Sequence, residues 1–151
     1  MSGTRREIET LLREAGLRPT PQRISLGSIL FARGNRHLTA EMLHREATDA
    51  KAFVSLATVY TTLTQFAEAG LLRRIAVDRA TKYFDTNTSH HHHFVAEGGN
   101  LLCDISDADV VVSEMPIPPG GYEIARIDVI IRLRAKKTLE SGSCSAILPQ
   151  S

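Results

Sequence analysis

Four of the six histidines in this 151-residue chain stand side by side, His90-His91-His92-His93, just past its middle. Neutral imidazole is the commonest protein ligand for metals and a common axial ligand for haem iron. On a β-strand, where side chains alternate, His91 and His93 point to one face and His90 and His92 to the other. One run therefore offers two imidazole pairs on opposite sides, and either is able to begin an iron or haem site. The competing reading is a solvated polar turn. A purification tag is set aside because the run is internal.

Histidine and carboxylate clusters also build hydrolytic and oxygenase sites. Here no nucleophile elbow, phosphate loop or HExxH helix accompanies the run, so the chain is read as a non-enzyme. With 42% hydrophobic and 23% charged residues it reads as a globular chain of one domain or two small ones. Tryptophan is absent and aromatics are few, so the cores must be aliphatic. The N-terminus has no apolar h-region and no apolar run reaches membrane length, so a cytoplasmic protein without membrane contact is expected. Cys103 and Cys144 are the only cysteines and make no disulfide framework. The net charge of +1 hides an asymmetry: residues 1–85 hold 13 Lys+Arg against 9 Asp+Glu, residues 86–151 hold 5 against 8. A basic front and an acidic back suit a nucleic-acid reader joined to something else.

The elements that would position these groups follow from periodicity. Ile8, Leu11, Leu12 and Ala15 give a first helix, stopped by Gly16. Thr20-Pro21 opens a second, with Thr20 as cap and Pro21 at the first helical position, running to near Gly34. Thr39 caps a third, with Glu41 near the positive end of its dipole. Ser55 starts the fourth. Leu56, Val59, Tyr60, Leu63, Phe66 and Ala67 share one face of it, and Gly70 stops it. Its other face, Ala57, Thr58, Thr61, Thr62, Thr64 and Gln65, is small, polar and uncharged. Such a surface suits a DNA groove, where hydroxyls and amides reach base edges and phosphates. Two short strands follow over residues 71–77 and 82–85. Helices ending in a basic hairpin make a winged helix-turn-helix, with a recognition helix from Ser55 and Arg73, Arg74, Arg79 and Lys82 on the wing for phosphates.

The second half changes character. Residues 90–95 and 101–105 read as strands about a Gly98-Gly99-Asn100 turn. Residues 107–112 open a helix or continue a strand, and Pro116, Pro118, Pro119, Gly120 and Gly121 form a break. Residues 122–133 read as one long strand, and the polar tail from Ala135 as mobile. The fold class is α+β: a winged helix over residues 1–85, a small α/β dimerisation and sensing domain over 86–135, and a tail over 136–151.

Gly16-Leu-Arg-Pro-Thr-Pro-Gln-Arg23, His37-Leu-Thr-Ala-Glu41, Leu56-Ala-Thr-Val-Tyr-Thr-Thr-Leu63 and Phe66-Ala-Glu-Ala-Gly-Leu71, with the histidine run beyond them, together resemble the ferric uptake regulator family over roughly residues 5–133. The resemblance implies a homodimeric transcription factor that binds double-stranded operator DNA under the control of a metal at the hinge between its domains. Carried over, the metal ligands are His37, Asp85, His91, His93 and Asp104, a set that suits Fe, Mn or Zn. The family's usual Cys-x-x-Cys zinc site falls on Ala96 and Gly99, so a structural zinc held by four cysteines is excluded. A second family site falls on Val111 and either Ile127 or Asp128, which leaves His90 and His92 without their usual partners. The absent Cys-x-x-Cys, the consecutive histidines and the Gly-Gly-Asn turn resemble the iron response regulator branch. That branch implies control by haem, with His90, His91, His92 and His93 as candidate haem ligands and a haem-delivering enzyme as a further partner. For DNA, the resemblance adds Arg18 as a minor-groove probe and Tyr60 as a thymine contact to Ser55, Thr58, Thr61, Arg79 and Lys82. The alternative is an iron-dependent peroxide-sensing repressor of the same fold, since Asp85 stands where many relatives carry glutamate.

Overall fold

The computed structural model describes residues 4–77, 81–98 and 101–136. They form two compact units, residues 1–88 and 89–151. Among the described residues no helix is long and apolar enough to cross a membrane.

The first unit is four helices and a three-stranded sheet: α1 (Arg5–Glu14), α2 (Pro21–Phe31), β1 (His37–Leu38), α3 (Ala40–Asp49), α4 (Leu56–Glu68), β2 (Arg73–Ala76) and β3 (Lys82–Asp85). Each helix begins on a side-chain hydroxyl. Thr4, Thr20, Thr39 and Ser55 accept from the backbone N–H of Glu7, Arg23, Met42 and Thr58. Each such cap contributes about 1 kcal/mol. At the first helix Glu7 also accepts from the Thr4 N–H at 3.0 Å, closing a capping box. Gly16 and Gly70 follow α1 and α4 at φ +80° and +84°, where a side chain would be strained. Ile8, Leu12, Leu26, Leu30, Leu43, Val59 and Leu63 are fully buried together, an aliphatic core closed by the rings of Phe66 and Phe84. Gly27 lets α2 approach α1, since a Cβ there would lie 2.9 Å from Ile8 Cγ2.

Three details of α4 and the sheet differ from the sequence reading. Leu56, placed on the apolar face, is exposed, while Thr62, placed on the polar face, is buried. The hairpin also gains a strand: the sheet order is β1-β3-β2. Two residues are too few for a periodicity to betray β1, yet its register sets His37 opposite Asp85 and Leu38 opposite Phe84.

The second unit is a three-stranded sheet with β4 (His91–Ala96) between β5 (Leu102–Ser106) and β6 (Ile130–Leu133). β5 is antiparallel to β4, with His93 opposite Asp104 and His91 opposite Ser106, and β6 is parallel to β4. Cys103 on β5 is buried. The expected long strand over 122–133 shrinks to its last four residues, because only there does the chain lie along β4. Of the two readings for residues 107–112, a helix opens but stays short. Ser106 caps a single 3-10 turn, Asp107–Asp109, and Val110, Val111 and Val112, β-branched and soon followed by Pro116, do not continue it. Val111, Ile117 and Tyr122 lie exposed along this irregular stretch. Arg79, Asn100 of the expected turn, and the tail from residue 137 fall outside the described residues.

Candidate metal centre and nucleic-acid face

In the first unit the β1–β3 register brings His37 Nε2 to 3.3 Å from Asp85 Oδ2, with the Asp85 side chain 1% exposed. Asp85 Oδ1 accepts from the Asn87 N–H at 2.8 Å, which fixes the carboxylate and turns its other oxygen toward the imidazole.

The backbone of β1 is anchored just before His37. Arg36 N–H donates to Thr86 Oγ1 at 2.8 Å, and Thr86 N–H returns to the Arg36 carbonyl at 3.0 Å. The Arg36 side chain makes a bidentate pair with Glu46 of α3, both bonds 2.7 Å, and Arg33 joins the same carboxylate at 2.9 Å. Sequence reasoning missed this anchor, because nothing in the spacing of Arg36 and Glu46 marks them as partners.

Burial pushes the Glu46 carboxyl up, but the hydrogen bond and charge of Arg36, with Arg33 and Arg45 beyond it, outweigh burial and hold its pKa below the ordinary value. A carboxylate depressed on folding contributes stability above its unfolded pKa and loses it as the pH falls through the folded one. Glu46→Gln is therefore expected to lower unfolding stability by about 2 kcal/mol near pH 7, discounted from a fully buried pair because both side chains keep some exposure. The gap to the parent protein should close as the pH falls below the ordinary glutamate range. Urea denaturation curves over that range check it, and a pH-independent gap would contradict it.

In the second unit the alternation expected of the histidine run is observed. His91 and His93 share one side, their rings 4.6 Å apart, and each Nε2 lies 3.4 Å from the same Asp104 oxygen. Both imidazoles are buried. His91 Nδ1 sits 2.6 Å from the Ser89 carbonyl. A carbonyl only accepts, so Nδ1 carries a proton and Nε2 is the nitrogen turned to the carboxylate. That is the outer support that metal-binding histidines use to fix their tautomer. Two imidazole Nε2 atoms converging on an aspartate form a borderline N/O donor set that fits Fe, Mn or Zn.

On the other side His90 and His92 meet Asp107. His90 Nδ1 and His92 Nε2 lie 2.8 and 3.2 Å from the same oxygen, Oδ1. His92 is 3% exposed, and its Nδ1 accepts the Val129 N–H at 3.1 Å.

The polar face of α4 is half-spent on its own structure. Ser55, expected on DNA, holds the N-cap, 3.1 Å from the Thr58 N–H and 2.9 Å from the Thr58 hydroxyl. Thr61 and Arg18 are exposed. Tyr60 is half-buried, and Lys82 of β3 bonds its hydroxyl with the ammonium 5.0 Å from the ring centre. Arg23 of α2 donates to Gln65 of α4 at 3.0 Å and to the Arg18 carbonyl at 2.8 Å. It therefore ties the residue expected in the minor groove to the helix expected in the major groove. A signal for Arg23 was present: a cation in a helix's first turn opposes the dipole, so its place there calls for another reason.

The chain is similar to known proteins over most of its length. Residues 14–132 match the model of the ferric uptake regulator family. The chain is 32% identical over 128 residues to the ferric uptake regulation protein of Pseudomonas aeruginosa, covering 83% of this chain and 96% of that one. It is 34% identical over 134 residues to the namesake from Vibrio cholerae serotype O1, covering 88% of each. Among solved structures it is similar to the ferric uptake regulator from Pseudomonas aeruginosa with manganese. The TM-score is 0.69 at 29% identity, over 86% of this chain and 98% of that one.

Proposed function

The chain belongs to the ferric uptake regulator family, and from that membership we propose that it is a homodimeric, sequence-specific DNA-binding regulator of iron-metabolism genes controlled by a divalent metal ion. The family's work is transcriptional regulation of iron uptake, not catalysis. The proposed ligands are His37 and Asp85 from the first unit with His91, His93 and Asp104 from the second. Carrying the reading is the pair of Nε2 atoms on Asp104, with the Nδ1 proton of His91 held by the Ser89 carbonyl so that Nε2 is the nitrogen left for an ion. A divalent cation supplies the charge that satisfies lone pairs and carboxylates together. Ligands drawn from both units let occupancy govern how residues 1–85 are presented to DNA by the dimerising residues 86–135. Exposed Val111, Ile117 and Tyr122 support a homodimer, since apolar groups spread along one stretch of surface mark an association site. On DNA, Arg18, Thr58, Tyr60, Thr61 and Lys82 are the proposed contacts, with Ser55 shaping the helix start and Arg79 on the wing.

The test is selection from a random duplex pool followed by anisotropy on the enriched site. The manganese-loaded and chelator-treated protein are expected to differ in affinity by about 10-fold or more. Equal affinity in both states would refute metal control.

Control by haem is the finer reading. It is supported by His90, the exposed member of the run, whose Nδ1 is turned to Asp107 so that Nε2 faces away as a lone pair. A Soret band on haem titration that His90→Ala removes would support it, and no band would eliminate it. Peroxide sensing rests on Asp85 and predicts an oxygen adduct on His37 or His91 after peroxide treatment of the iron-loaded protein, read by mass spectrometry.

A further inference from the structure

The ligand-like atoms of His90, His92 and Asp107 lie within 4.8 Å of one another, as a second metal site would require. The hydrogen bonds contradict that appearance. A backbone N–H only donates, so the 3.1 Å bond from Val129 consumes the Nδ1 lone pair of His92. The proton of the neutral ring is then on Nε2, where it donates to Asp107 Oδ1 at 3.2 Å. No lone pair remains. To coordinate an ion, His92 must first release Val129 and move its proton to the other nitrogen. Its neighbour has the reverse arrangement: His91 carries a proton on Nδ1, against the Ser89 carbonyl, and turns Nε2 to Asp104.

From this we infer that His92 is a positioning residue and not a ligand. Its imidazole ties the residue preceding β6 to β4 and to Asp107, and the His90–His92–Asp107 group holds no metal ion of its own. Adjacent histidines on one strand thus serve opposite purposes, sorted by tautomer. His90 and Asp107 alone offer two donors, too few for a closed structural site. Only the stoichiometry arm below rests on the metal-controlled reading; the tautomer arm stands without it.

The experiment uses the full chain labelled with ¹⁵N-histidine. Two-bond proton–nitrogen correlations should show His92 protonated at Nε2 and His91 at Nδ1. Titration with Zn(II) should saturate at one equivalent per chain, moving the nitrogens of His91 and His93 and leaving those of His92 in place. Asp107→Ala should still take up one equivalent. His92→Asn, whose amide oxygen is able to accept from Val129, should melt well above His92→Ala, whose loss should be roughly 5 °C or more. His92 found protonated at Nδ1, or a second equivalent of zinc that His92→Asn and Asp107→Ala both remove, would overturn the inference. Failure to bind zinc at all would count against the metal-controlled reading while leaving the His92 tautomer readable.

Discussion

Asp85→Asn and His91→Ala are each expected to weaken manganese binding on the order of 100-fold or more, since even the outer supports of a metal site are worth 10- to 100-fold. The two residues come from different units, Asp85 from the first and His91 from the second. Asparagine at position 85 keeps an oxygen to accept from Asn87 and removes only the charge. His91→Ala removes an imidazole whose tautomer is already fixed for ligation. If one ion uses both, the first substitution destroys most of what the second would remove, and the double variant binds little worse than either single one. Two separate ions would instead give additive losses and two binding phases. Competition against a chromophoric chelator reads both outcomes, and anisotropy on the selected DNA site should show the metal response lost in every variant. Parental affinity in either single variant would remove that residue from the ligand set.

How much of this was legible without coordinates differs from element to element. The four helix starts were readable because each cap is a local event: a hydroxyl, a following turn and a stopping glycine within one short stretch. The sorting of the histidine run followed from strand alternation alone, and the structure sets His91 with His93 and His90 with His92 as that period requires. What periodicity cannot supply is partnership across distance. β1 is two residues long and exists because β3 lies beside it, so the pairing of His37 with Asp85 came from family resemblance and not from local pattern. Arg36 and Glu46, ten positions apart, one just before β1 and the other on α3, carry no sequence signal. The long strand expected over 122–133 failed for the same reason, since alternation shows that a segment is able to be a strand, while a neighbouring edge decides how much of it becomes one. Thr62 and Leu56 exchanged their expected environments because tertiary packing centres the buried arc of α4 on Val59, Leu63 and Phe66, which takes in Thr62 and leaves Leu56, the first residue of the helix, at its border.

Tyr60 lies at that same border and has the second large expected effect. Its ring is half-buried and its hydroxyl is held by Lys82, so one side chain faces core, wing and solvent together. Tyr60→Ala is expected to weaken binding to the selected site by about 10- to 100-fold, the value of one good base contact, and to change affinity for random duplex by much less. Tyr60→Phe keeps the ring and loses only the bond to Lys82. It should stay within about 3-fold of the parent if ring packing against a base carries the contact. Lys82→Met should weaken both kinds of DNA and reduce the salt slope by about 1, as one phosphate contact predicts. The pattern across the three separates the roles. A Phe variant as weak as the Ala variant would mean that the Lys82–Tyr60 bond, and not the ring, carries recognition. An Ala variant equally weak on selected and random DNA would mean that Tyr60 serves the fold of the helix and reads no base.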